Sequence, residues 1–226
     1  MKTYEISRTF AWQGPLSGRA VQLCRMFGLT TDRLRSRPVS HRCCVELDPG
    51  DIVYITGPSG AGKSVLLREM ERLVPVGQSV NLAGIPLADD RSVIDCFCGD
   101  LVASLKLLGI VGLSDVFSLL NRPCNLSDGQ KYRFRLAQAL AAGKPFIFAD
   151  EFSSDLDRVT AAGLAFNIHR FAKRTGTTFV LASSHEDILM DLAPDVLVIK
   201  DFTGPAEVIY RKETRNPNLE IRDKHK

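Results

Sequence analysis

Long apolar runs are missing from this 226-residue chain, and with them the roughly 20 consecutive apolar residues that a membrane-spanning helix needs. The polar start Met1-Lys2-Thr3-Tyr4-Glu5 lacks the apolar core of a secretory leader, so the cytosol is the expected compartment. A dominant charge is also lacking. Lys and Arg number 29 against 26 Asp and Glu, a net +3 that demands no polyanionic partner. The stretch from Arg211 to Lys226 carries six basic against three acidic residues. It reads as a solvated basic tail, with a nucleic-acid contact as the other reading. Six cysteines (Cys24, Cys43, Cys44, Cys96, Cys98, Cys124) have neither the paired spacing nor the companion histidines of a zinc site; free, mostly buried thiols are expected. No internal repeat is visible. A chain of this length fits one large domain that buries about 70% of its unfolded surface.

What is present centres on Gly57-Pro58-Ser59-Gly60-Ala61-Gly62-Lys63-Ser64. The β-branched run Ile52 to Thr56 precedes it, and a helical pattern with Val65, Leu66, Leu67, Met70 and Leu73 follows. Strand, glycine-rich loop and helix N-terminus together form a phosphate-binding loop. Its glycines let successive N–H groups face inward toward an anion. Lys63 is expected to reach the β- and γ-phosphates, and the Ser64 hydroxyl to be a ligand of Mg²⁺.

The remaining pattern alternates strands and helices. Lys2 to Phe10 reads as a strand, Val21 to Phe27 as a short helix ending at Gly28, and the arginine-rich segment Arg33 to Arg42 as an exposed connection. Cys43 to Leu47, a turn at Asp48-Pro49-Gly50, and Ile52 to Thr56 form a strand, turn, strand unit. Gln78 to Arg91 shows no periodicity, while Ser92 to Leu108 and Ser114 to Leu120 read as helical. Ser127 caps a helix whose Tyr132, Leu136, Ala139 and Leu140 share one face. Phe146 to Ala149 is a strand buried on both sides, ending in Asp150-Glu151. Arg158 to Thr175 is a helix, Thr177 to Ala182 a buried strand followed by His185, and Val196 to Ile199 with Ala206 to Tyr210 a hairpin. The fold class is α/β with a mostly parallel sheet, its ligand beyond the carboxyl ends of the strands.

In this order the motifs resemble those of the ATP-binding cassette (ABC) ATPases. Gly57 to Ser64 resembles the Walker A loop, Leu126-Ser127-Asp128-Gly129-Gln130 the signature, Phe146 to Glu151 the Walker B strand, Ser154-Asp155-Leu156-Asp157 the D-loop, and His185 the switch histidine. The resemblance implies a P-loop NTPase that takes Mg²⁺ and ATP. Asp150 and Ser64 would serve the metal, and Glu151 and His185 the catalysis. Ser127, Gly129 and Gln130 would complete the site of a second copy in a homodimer, and Asp155 and Asp157 would be the D-loop residues. It divides the chain into an N-terminal extension (1–42), a cassette (43–210) and a basic tail (211–226).

Some features depart from the pattern. Lys63 and Ser127 are 64 positions apart, which implies shortened antiparallel and helical subdomains. No glutamine lies between Gln78 and Gln130, leaving Asp89 or Asp90 as stand-ins for the family's Q-loop residue. No aromatic residue upstream of Cys43 matches the one that stacks on adenine. Because the shortened region is where transporter subunits meet their membrane partner, the expected function is a soluble ATP-driven switch acting on an unread protein or nucleic-acid partner. A transporter subunit, or a regulatory module that binds ATP with little hydrolysis, is the alternative.

Overall fold

Strands made wholly of apolar and small residues need cover on both faces, and Ile52–Thr56 and Thr178–Ala182 are buried at every position. The computed structural model describes residues 1–11, 14–30, 32–33, 39–185 and 187–211. The tail beyond Arg211 and residues 34–38 of the arginine-rich connection lie outside the described residues. In chain order the elements are β1 (Lys2–Phe10), α1 (Gly18–Met26), β2 (Val39–Leu47), β3 (Ile52–Thr56), α2 (Lys63–Leu73), β4 (Ser79–Asn81), α3 (Leu101–Ile110), α4 (Val116–Leu120) and α5 (Asp128–Ala141). Then come β5 (Phe146–Ala149), α6 (Arg158–Thr175), β6 (Thr178–Ala182), α7 (Leu189–Leu192), β7 (Val196–Ile199) and β8 (Glu207–Tyr210).

The six-stranded sheet has the order β4-β5-β6-β3-β7-β8. It is parallel up to β7, and β8 returns antiparallel along β7. Alternation within the strands builds two cores. Ile52 and Tyr54 of β3, with Ile147 and Ala149 of β5, face the helical layer of α3, α5 and α6. Val53 and Ile55, with Phe148, Val180 and Ala182, face Leu66, Leu67 and Met70 of α2. A two-stranded antiparallel sheet, β1 with β2, covers the far side of α2 through Tyr4, Ile6, Cys43 and Val45. The class is α/β, mostly parallel, with one small antiparallel sheet.

Several sequence expectations need correction. The strand before the β3 turn, β2, runs from Val39, so the end of the arginine-rich connection is sheet and His41 is buried. β2 and β3 do not pair with each other; they belong to different sheets. Ser92 to Leu108 is not one helix. A single 3₁₀ turn at Ile94–Cys96 gives way to extended Phe97 and to Gly99 at φ 97°, and Asp100 then caps α3 by accepting from the Ala103 N–H. Gln78 to Arg91 contains the short β4, paired to β5. All six cysteines are free, but Cys43 is the buried one and Cys44 and Cys98 are exposed. Burial pushes the Cys43 thiol up to about 11, which leaves it unreactive near neutral pH. Among the described residues no helix is long and apolar enough to cross a membrane.

Candidate nucleotide site

Because β3, β5, β6 and β7 run parallel, their carboxyl ends deliver four loops to one edge of the sheet. The loop after β3 turns at Gly57, where φ is 137° and an added Cβ would stand 2.0 Å from the Lys200 carbonyl oxygen. Gly62, at φ 99°, caps α2, and the space its Cβ would need is filled by the His41 ring, 2.2 Å away. Lys63 folds back over the loop. Its Nζ donates to the Gly57 carbonyl at 2.8 Å, the Pro58 carbonyl at 3.0 Å and Ser184 Oγ at 2.9 Å. Burial lowers the Lys63 pKa, while Asp150 and Glu151 oppose that shift.

At the end of β5, Asp150 Oδ1 accepts from the Ser64 hydroxyl at 3.0 Å. The two oxygens predicted to serve a metal therefore sit together. The next residues are held in a strained turn: Glu151 at φ 52° and Ser153 at φ 62° both occupy the left-handed region that non-glycine residues avoid. Phe152 between them is the anchor. Its side chain is fully buried and meets Tyr132 edge to face at 6.2 Å. Its N–H donates to the Ala182 carbonyl at 2.8 Å. Phe152→Ala should therefore lower unfolding stability by about 3 kcal/mol or more, read as a lower urea midpoint at unchanged slope.

Glu151, exposed, lines the same cleft as His185, which follows β6. The His185 carbonyl accepts a short hydrogen bond from the Tyr54 hydroxyl, and its N–H donates to Ser183 Oγ. Tyr54 is buried in β3, the strand that carries the phosphate loop, so the two loops share one tether. Ser59, Gly60, Gly62, Lys63, Ser64, Asp150, Glu151, Ser184 and His185 line a cleft of about 370 Å³. Size does not single it out, because a hollow beside Asn167 and Arg170 is larger at about 560 Å³. Its chemistry does. It joins a glycine-rich helix start, a lysine, two carboxylates and a histidine, the groups that bind and polarise phosphate oxygens.

Ser127, Gly129 and Gln130 are not among the residues lining this cleft. They begin α5 through a capping box: Ser127 Oγ accepts from the Gln130 N–H, and Gln130 Oε1 from the Ser127 N–H. Gln130 Nε2 also donates to Ser118 Oγ. The helix start packs against the Asp155 carbonyl so closely that a Cβ on Gly129 would stand 2.9 Å from that oxygen. Asp157 caps α6, accepting from Val159 and Thr160 N–H groups. Asp90 pairs with Arg91, and neither Asp89 nor Asp90 lines the cleft.

Two residues beside the phosphate loop escape the motif reading. Half-exposed Phe10, the last residue of β1, contacts His41 edge to face at 5.8 Å, and His41 abuts Gly62. Burial, and secondarily the Lys200 ammonium, lower the His41 pKa from 6.5. The fold therefore resists a proton that the unfolded chain accepts, and stability present above about pH 6.5 is lost as pH falls. Melting temperature should drop more steeply between about pH 7.5 and 5.5 in the wild type than in His41→Phe.

No family model matches the chain. The aliphatic sulfonates import ATP-binding protein SsuB 1 of Paracoccus denitrificans is 31% identical over 197 residues, covering 80% of this chain and 78% of that protein. The methionine import ATP-binding protein MetN of Nocardia farcinica is 27% identical over 203 residues; the match covers 74% of this chain but only 60% of the relative. Among solved structures, a dimeric ATP-binding cassette in a post-hydrolysis state with ADP and Pi superposes with a TM-score of 0.61 at 18% identity, over 75% of this chain and 89% of that one. A bacterial Atm1-family ABC exporter with ATP bound also gives 0.61, at 17% identity, over 76% of this chain and 36% of that one. With its parallel sheet, its phosphate loop and a relative at 31% identity, the chain belongs to the ATP-binding cassette ATPases.

Proposed function

We propose that the chain is the ATP-hydrolysing subunit of a membrane transporter, working as a pair of copies that close on two ATP molecules. One observation carries the composite site: the cleft gathers Lys63, Ser64, Asp150, Glu151 and His185, while the capped start of α5 with Ser127 and Gly129 stands outside it. A helix N-terminus offers N–H groups and a positive dipole end to an anion. Supplied by a second copy, it would complete the phosphate cage. The dimeric ADP-bound cassette with the same fold supports this arrangement.

In this reading Gly57 to Ser64 bind the phosphates, with Lys63 exchanging its loop carbonyls for β- and γ-phosphate oxygens. Ser64 and Asp150 would hold Mg²⁺; a hydroxyl and a carboxylate suit a hard cation that takes its other oxygens from phosphate and water. The metal supplies charge neutralisation at the phosphate oxygens. Glu151 takes a proton from a water whose oxygen forms the new bond to the γ-phosphorus, and the bond to the β-phosphate bridging oxygen breaks to leave ADP. His185 orients the γ-phosphate, and the exposed face of Phe10 offers the base a stacking surface.

Two observations support the transporter role. The relatives named above are import ATP-binding proteins, and the helical layer exposes Leu101, Val102 and Leu105 of α3 with Val116, Phe117 and Leu120 of α4, an apolar area of the kind that marks a protein interface. A second reading, an ATP-driven switch independent of a transporter, is favoured by the interval between Gln78 and Gln130 that lacks a glutamine. Steady-state hydrolysis of Mg²⁺-ATP, measured over a wide range of protein concentration, tests the composite site: specific activity should rise with concentration. Flat or absent activity with ATP still bound would overturn it. Copurification with an integral membrane protein separates the two roles.

A further inference from the structure

The loop after β6 is tied to β3 and to the phosphate loop. The Ser183 N–H donates to the Ile55 carbonyl at 3.0 Å, Ser184 Oγ accepts from Lys63 Nζ at 2.9 Å, and the Tyr54 hydroxyl donates to the His185 carbonyl. The Lys63 tie lasts only while that side chain is folded back, because in the proposed function Lys63 turns to the phosphate oxygens. The ties from β3 need no such release. Tyr54 is fully buried, lies in the ladder between Leu181 of β6 and Leu197 of β7, and is not among the residues lining the cleft. It can act on the cleft only through another residue.

A strand buried at every position accepts apolar side chains at least cost, since a buried hydroxyl must find a partner. Phenylalanine would fill the same space with no hydroxyl to satisfy. The Tyr54 hydroxyl meets a carbonyl that has left the ladder, for β6 ends at Ala182 and His185 lies beyond it. On the other side of the His185 Cα, the N–H donates to Ser183 Oγ at 3.2 Å, and Ser183 is itself buried. The peptide groups flanking His185 are thus pinned on both sides. With its two soft backbone dihedrals fixed, the direction in which its imidazole leaves the chain is fixed as well.

We propose that Tyr54 is a positioning residue for hydrolysis, holding His185 at the angle from which it meets the γ-phosphate. This role rests on that of His185 in the proposed function. Its test is Tyr54→Phe, made in the wild-type chain and in His185→Ala, with the single-turnover rate constant for Mg²⁺-ATP and the affinity for ADP measured on each protein. In the wild-type background the rate constant should fall about 10-fold. ADP, which lacks the γ-phosphate, should bind within about 2-fold of the wild-type affinity, which also shows that the variant folds and keeps its phosphate loop. In the His185→Ala background the same substitution should change the rate constant by less than about 2-fold, because the group that the tether aims is gone. A hydroxyl that served only the packing of β3 would slow both backgrounds by the same factor or weaken ADP binding, and either result would overturn the proposal. So would a wild-type rate in Tyr54→Phe beside a slow His185→Ala. A wild-type rate in His185→Ala would instead overturn the role of His185 itself, and that of the tether with it.

Discussion

Replacing Glu151 with Gln is expected to slow steady-state ATP turnover by about 10²- to 10⁴-fold while leaving nucleotide affinity near the wild-type value. The asymmetry follows from placement. The hydrogen bonds that hold the phosphate loop run elsewhere than to Glu151: Lys63 is held by the Gly57 and Pro58 carbonyls and by Ser184, and Ser64 by Asp150. The carboxylate is exposed to the cleft and positioned by backbone strain at its own residue and at Ser153, with buried Phe152 locking both. Gln preserves shape and volume but cannot accept the proton, so kcat falls and binding survives. A variant that loses both together would show that Glu151 holds the nucleotide, and the assigned role would be wrong. Isothermal titration with ATP beside turnover measurement decides it.

Gly57→Ala is expected to abolish nucleotide binding and to cost about 4 kcal/mol or more of stability. The reason is independent of any ligand. The Cβ would stand 2.0 Å from the Lys200 carbonyl oxygen and 3.0 Å from its carbon, so the obstacle is backbone that cannot rotate away. That backbone is itself fixed. The Lys200 N–H donates to Thr56, and the buried Lys200 Nζ donates to the Asp201 and Gly204 carbonyls, closing the β7–β8 turn. Gly77→Ala is the control, since Gly77 also has a positive φ, 83°, but no atom within 4 Å of its Cβ. It should cost only about 1 kcal/mol and leave ATP binding intact. Equal losses in the two variants would show that backbone conformation, not the approach to Lys200, dominates.

The parts of the proposed composite site that can be read from sequence are those whose chemistry is local. Gly57 to Ser64 carries its strand, loop and helix start in one stretch, Asp150-Glu151 ends a continuous apolar run, and Ser127 to Gln130 is a capping pattern. Phe10 and His41 cannot be read in this way. Their positions depend on β1 pairing with β2 across residues 11–38, and on β2 placing alternate residues against α2. The alternation of Tyr4, Ile6 and Phe10 is a usable signal, because it marks Phe10 as the end of a half-buried strand. Tyr54 is hidden for another reason: in a strand buried on both faces a tyrosine reads as one more apolar residue, and its hydroxyl finds His185 only through tertiary packing. The single helix expected from Ser92 to Leu108 fails because apolar spacing continues through Gly99-Asp100, where backbone conformation and capping stop and restart the chain.

The place of β3 in the sheet also fixes an order of events during synthesis. Although the phosphate loop is complete by Ser64, β3 is flanked by β6 and β7, whose pairing partners begin with Ile52 against Phe179 and Val53 against Val196. Such long-range pairings close late and slowly. A nascent chain that has emerged only through α6 carries every residue of the loop and neither strand that holds it in shape, so competence to grip a phosphate arrives only after β6 and β7 have also left the ribosome.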